Sequence, residues 1–136
     1  ISGTFAGTNF LGLRFRASGS DTTTGYQSRL ESLNTNVTGS TSFDYNNQAS
    51  GYIYLGYLKW NSDPQLSGII NVTNPQTAQT SGVGGILTGG DYYGVAPVSS
   101  LQMGIYPSTT SFDGFSLTPT GGGTITGTVS IYGMSK

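Results

Sequence analysis

Gly122-Gly123-Thr124-Ile125-Thr126-Gly127-Thr128-Val129-Ser130-Ile131-Tyr132-Gly133-Met134-Ser135-Lys136 reads as a glycine turn followed by a strand. Ile125, Val129 and Ile131 fall on one face with Gly127, while Thr124, Thr126, Thr128, Ser130 and Tyr132 fall on the other. Such strict alternation is the pattern of a half-buried strand. It predicts a terminal strand tied into its sheet to the last turn of the chain.

The same period recurs upstream. Leu11, Leu13 and Phe15 alternate with Gly12, Arg14 and Arg16, which gives a strand with one apolar and one basic face. Ser18 to Asp21 and Thr24-Gly25 are loop material. Tyr26 to Val37 reads as a strand whose Arg29 and Glu31 share a face and form an ion pair along a solvated edge. Phe43 to Tyr45 reads as a short strand. Tyr52 to Trp60 is apolar on both faces, with Ile53, Leu55 and Tyr57 on one and Tyr52, Tyr54, Leu58 and Trp60 on the other. That strand is either central and covered twice or presents aromatics outward. Leu66, Gly68, Ile70 and Val72 alternate with Ser67, Ile69, Asn71 and Thr73, and Asn74-Pro75 ends the run. Gln76 to Gly94 reads as a long Gly- and Thr-rich loop with a short strand near Ile86. Leu101, Met103 and Ile105 then alternate with Gln102, Gly104 and Tyr106, and Phe115 and Leu117 follow a turn at Phe112-Asp113-Gly114. No stretch keeps apolar residues at helical spacing. About eight short antiparallel strands in one domain spanning 1–136 predict an all-β two-sheet sandwich of jelly-roll type.

Composition narrows the chemistry. The chain has no Cys and no His, which removes a disulfide framework, a thiolate metal site and the commonest general base. Five basic and six acidic residues give a net charge of -1, without the basic patch that nucleic acid requires. No apolar run approaches the length of a membrane span, so no membrane insertion is expected. The 22 Gly would suggest disorder, but six Phe, nine Tyr and Trp60 argue for a packed core. Ile1 is not an initiator Met, and we expect the chain to be the C-terminal part of a longer protein.

The order of elements is similar to that of a known family. The carrying residues are the Leu11-Gly12-Leu13-Arg14-Phe15 strand with its Gly/Ser loop and Tyr26, Ser67 to Pro75, the Gly-rich loop, Val98 to Ile105, and the Gly127-Thr128-Val129-Ser130-Ile131-Tyr132-Gly133 run. Together they resemble a C-terminal β-domain of tailed-bacteriophage virion structural proteins, some of them on tail fibres or other appendages. Met134 departs slightly, since Ile or Leu is commoner there in the family. The resemblance implies a non-enzymatic virion domain, with no catalytic residues to carry over and no cofactor. It implies a distal tail-fibre or spike module that forms a homotrimer with other virion proteins beside it and touches a host surface glycan. A capsid decoration, cement or head-fibre domain is the alternative within that class. A secreted carbohydrate-binding module and a small hydrolase are the alternatives outside it.

Individual residues sharpen these expectations. Asp44, Asp63, Asp91, Asp113 and Glu31 are the carboxylates a glycosidase would pair. The Asp residues sit in turn contexts, where Asp forms local hydrogen bonds. No spaced acidic loop suggests Ca²⁺, and the Gly-rich stretch at 82–90 lacks the Gly-Lys-Ser/Thr of a phosphate loop. Asn36 and Asn71 begin glycosylation triplets of the kind that arise by chance in such a composition. Arg14 and Arg16 are expected to pair with carboxylates. Tyr52, Tyr54 and Trp60 are candidates for core or a subunit interface, or for a face on which a sugar ring stacks. Tyr92 and Tyr93, with Asp91, are the candidates for ligand binding in the long loop.

Overall fold

A computed structural model of the 136-residue chain describes residues 2–4, 9–34, 41–58, 66–89 and 98–133. The strands are β1 Ser2–Thr4, β2 Asn9–Ala17, β3 Ser20–Asp21, β4 Tyr26–Asn34, β5 Thr41–Ser50, β6 Ile53–Leu58, β7 Ser67–Thr73, β8 Ser81–Thr88, β9 Val98–Tyr106, β10 Gly114–Pro119 and β11 Thr124–Thr126. There is no helix among the described residues. Two antiparallel sheets pack face to face. The larger has the order β5-β4-β9-β8-β7. In the smaller, β10 lies along one edge of β2, and the other edge is shared by β6 and the short β3. A two-stranded ribbon, β1 with β11, forms a separate ladder whose Ile125 packs against the core. This is the all-β sandwich that the alternating runs predict. Its strand order does not establish a jelly roll.

β2 follows directly from its residues. Leu11, Leu13 and Phe15 point inward and are almost wholly buried. Ser18 and Gly19 take φ of 52° and 75°, the two positive values of a type I′ turn, so the segment read as loop is a two-residue hairpin into β3. β7 also matches its pattern: Ile70 and Val72 pack on the core, and Asn74 ends the strand with a left-handed φ of 54°.

Elsewhere the structure corrects the sequence reading. β6 carries a bulge: Leu11 pairs with Gly56 and Gly12 with Tyr54, so Leu55 is an extra residue. The bulge reverses the faces beyond it, and Leu58 joins Ile53 and Leu55 in the core. β8 is a full strand of eight residues where a loop with only a short strand near Ile86 was expected, because the ladders to β7 and β9 override its glycines. β5 runs for ten residues rather than three, paired along β4. Arg29 and Glu31 do form an ion pair, at 2.8 Å, but β4 lies between β5 and β9 and is not an edge. Phe112, read as part of a turn, is buried and stacks on Phe15 with ring centroids 4.6 Å apart. The terminal strand is short. Only Thr124–Thr126 pair, and residues 127–133 form no strand, with Ile131 75% and Tyr132 88% exposed.

β9 inverts its expected faces. Ser100, Gln102 and Gly104 point into the sandwich with Tyr106, while Leu101, Met103 and Ile105 face solvent. The reason lies across the core. A Cβ on Gly104 would stand 2.5 Å from Cγ2 of Ile53, so β6 approaches β9 too closely for any side chain there. Gln102 fits by bending along its own strand, where its Nε2 donates to the Ser100 carbonyl at 2.7 Å.

Gly104→Ala should therefore overpack the core and cost about 1–3 kcal/mol in a urea melt. Ile53→Ala alone should cost about 2–5 kcal/mol through its cavity. The double variant should be more stable than the two losses summed, because the new methyl occupies the vacated space. Simple additivity would show that the two residues do not meet.

Candidate functional site

The outward face of the small sheet carries an aromatic strip. The alternation that buries Leu11, Leu13 and Phe15 turns Phe10, Gly12 and Arg14 outward on β2. The β6 bulge keeps Tyr54 on that face opposite Gly12, with Tyr52 just beyond the strand end. Phe10 and Tyr54 meet edge to face, with centroids 5.0 Å apart. Tyr54 and Tyr52 follow at 6.3 Å. The Arg14 guanidinium lies 4.0 Å from the Tyr52 ring centroid and its Nε donates to the Gly51 carbonyl at 3.0 Å. Gly12 makes the row possible, since a Cβ there would come within 2.7 Å of Tyr52 Cδ1. At the far end, the Phe10 amide donates to Thr120 Oγ1 at 3.1 Å. Tyr52 and Tyr54 are half-buried, so each ring retains accessible surface on a rigid sheet.

Such a row offers ring edges and tilted ring faces, Tyr54 standing at 76° to Phe10 and 55° to Tyr52, with the Arg14 cation over the Tyr52 ring. It suits stacking against the C–H face of a sugar ring, with Arg14 near an acidic or hydroxyl group. Tyr52 and Tyr54 are thus brought together as the sequence reading grouped them. Trp60 lies outside the described residues, as do Asp91, Tyr92 and Tyr93. Sequence reasoning missed Phe10, Gly12 and Arg14 as members of the strip, although their spacing on β2 already placed them on one face.

The charged residues divide by role. Arg16 pairs with Asp21 at 3.5 Å, and Asp21 also accepts from Ser116 Oγ at 2.7 Å. Arg14 departs from the expected carboxylate pairing and uses a carbonyl and a ring instead. Asp113 accepts from the Gly19 amide at 3.0 Å and so braces the β2–β3 turn, in keeping with its reading as a turn former. Asp63 lies outside the described residues. Among the described residues no group of three acidic side chains gathers as a metal would require.

One titratable group stands out, and its role is structural. Tyr26 of β4 is fully buried and reaches across the sandwich to β2. Its hydroxyl accepts from the Phe15 amide at 2.7 Å and contacts Thr22 Oγ1, while the Thr22 amide donates to the Phe15 carbonyl at 2.9 Å. Together they satisfy the backbone of β2 where β6 has ended and β3 has not begun. Burial pushes the Tyr26 phenol above its ordinary value, outweighing its hydrogen bonds.

Compared with protein-family models, curated proteins and solved structures, the chain matches none.

A raised phenol pKa means that the folded state holds its proton more tightly than the unfolded one. The stability that this contributes is complete below about pH 10 and is lost as pH rises through the folded value. Tyr26→Phe should cost about 1–2 kcal/mol at neutral pH, by leaving the Phe15 amide without its acceptor. Its stability should fall less steeply than the parent's between about pH 9 and pH 11 in urea titrations. Equal slopes would show that Tyr26 does not titrate differently on folding.

Proposed function

We propose that this chain is a non-enzymatic structural domain of a tailed-phage virion, the distal module of a tail fibre or spike, assembled as a homotrimer and contacting a host surface glycan. The aromatic strip of Phe10, Tyr54 and Tyr52 with Arg14 is the observation that carries the contact role. It is a preformed stacking face on a rigid sheet, and stacking costs little ordering when the rings are already held in place. The virion assignment is supported by the resemblance at Ser67 to Pro75 and Gly127 to Gly133. The non-enzymatic reading is supported by a composition without His or Cys, which leaves few routes to acid–base or nucleophilic chemistry. The same strip would serve a secreted carbohydrate-binding module, and a decoration domain would place it on the capsid.

Immunogold labelling of particles and an adsorption assay test this reading together. Label should gather at tail tips. Tyr52→Ala and Tyr54→Ala should reduce adsorption at least tenfold while the melting temperature moves only a few degrees, as for partly exposed side chains. Tyr92→Ala and Tyr93→Ala test residues 91–93 in the same assay. Label spread over the capsid shell would identify a decoration domain, and no label on any particle would overturn the virion assignment.

A further inference from the structure

The outward face of the large sheet is apolar where a solvated sheet would be polar. Ile69 of β7 is 73% exposed and Ile86 of β8 is 56% exposed, and they are cross-strand partners. Ile86 pairs in turn with Leu101 of β9, and Met103 and Ile105 extend the patch along that strand; all three are exposed. The five side chains form one contiguous surface on the order of 500 Å², in the upper part of the range of a monomer's largest apolar patch, which is often functional.

We propose that this face is the surface through which the chain associates with a second copy of itself. Three observations favour a second copy. The first is an unfilled lane. Gly84 of β8 lies on the outward face, paired with Met103, and its backbone does not need glycine: φ is not positive, and a Cβ would meet only the Gln102 carbonyl oxygen, at an ordinary 3.7 Å. This position leaves a shallow lane next to Met103, whereas the space over Gly82 is taken by Thr73 Oγ1, which a Cβ there would meet at 2.7 Å. The corresponding side chains of a facing copy would fill it, as interdigitating side chains do between stacked sheets. The second is charge. The patch is bordered on β4 by the adjacent Arg29 and Glu31, so a symmetric pairing sets opposite charges against each other without net repulsion. A face meant for an anionic lipid surface would carry a basic border instead. The third is area. The patch with its rim of Asn71, Thr73, Thr88 and Arg29 approaches the roughly 800 Å² per partner of a stable interface.

This inference rests on the self-assembly in the proposed function and not on its virion part, and it departs from the threefold number given there, because a face that meets its own copy closes a two-fold pair. The test reads the chain alone, so its failure leaves host contact through Tyr52 standing. In sedimentation equilibrium the parent chain should associate at tens of micromolar. Gly84→Val should weaken that association at least tenfold while leaving the melting temperature equal to or above the parent's, because Val suits an exposed strand position better than Gly. Truncation after Thr126 should leave it unchanged. The chain has no Cys, so Met103→Cys supplies a second reading independent of lane filling: oxidation should cross-link it, whereas Gln79→Cys on the β7–β8 turn should stay single. A parent that is monomeric throughout would overturn the proposal. So would association that survives Gly84→Val, that is lost with residues 127–133, or that leaves Met103→Cys uncross-linked.

Discussion

Ile53 rests directly on the backbone of β9 at Gly104, and most of the molecule can be read as a consequence of that contact. It sets the separation of the two sheets at their centre. Because β6 comes so close, the inward positions of β9 must be small or must lie flat, and Ser100, Gln102 and Gly104 meet that demand. The strand alternates, so its large apolar residues are forced outward. One crowded contact inside the sandwich thereby produces an apolar face outside it.

The two outer faces of the sandwich differ in chemistry for related reasons. On the small sheet, the β6 bulge and Gly12 together hold a row of rings with Arg14 over one end. On the large sheet, Ile69, Ile86 and Leu101 line up across three strands beside the open position at Gly84. The first face offers tilted aromatic rings beside a cation, and the second offers aliphatic side chains of the kind that pack between sheets. A module that assembles through one face and binds through the other needs no moving part. Tyr26 ties the two sheets together with a hydrogen bond at the point where one edge of β2 lies between the end of β6 and the start of β3.

Much of this was legible in the residues, and the exceptions share a cause. β2 and β7 were readable because burial of Leu11, Leu13 and Phe15, or of Ile70 and Val72, agrees with their local alternation. β9 was readable as a strand but not in its orientation, since nothing local says that Ile53 will occupy the space beside Gly104. β8 was hidden by Gly82, Gly84 and Gly85, whose weak strand preference is overcome by neighbours on both sides. In β6, one extra residue at Leu55 reversed the faces of everything after it. The terminal run carries a perfect strand pattern, yet only Thr124–Thr126 find a partner. Within the aromatic strip, Tyr52 and Tyr54 could be picked out by residue type, whereas Phe10 and Arg14 belong to it only because β2 and β6 pair.

The central claim is that β9 presents its apolar residues to solvent and that assembly covers them. Peroxide oxidation of Met103, followed by peptide mass spectrometry, reads this directly, since the only other methionine is Met134 and cleavage before Asp113 places it in a separate peptide. In dilute, folded protein Met103 should oxidise readily, and it should become protected as concentration rises into the range of association. A Met103 that resists oxidation at every dilution and reacts only after denaturation would show that β9 faces the other way.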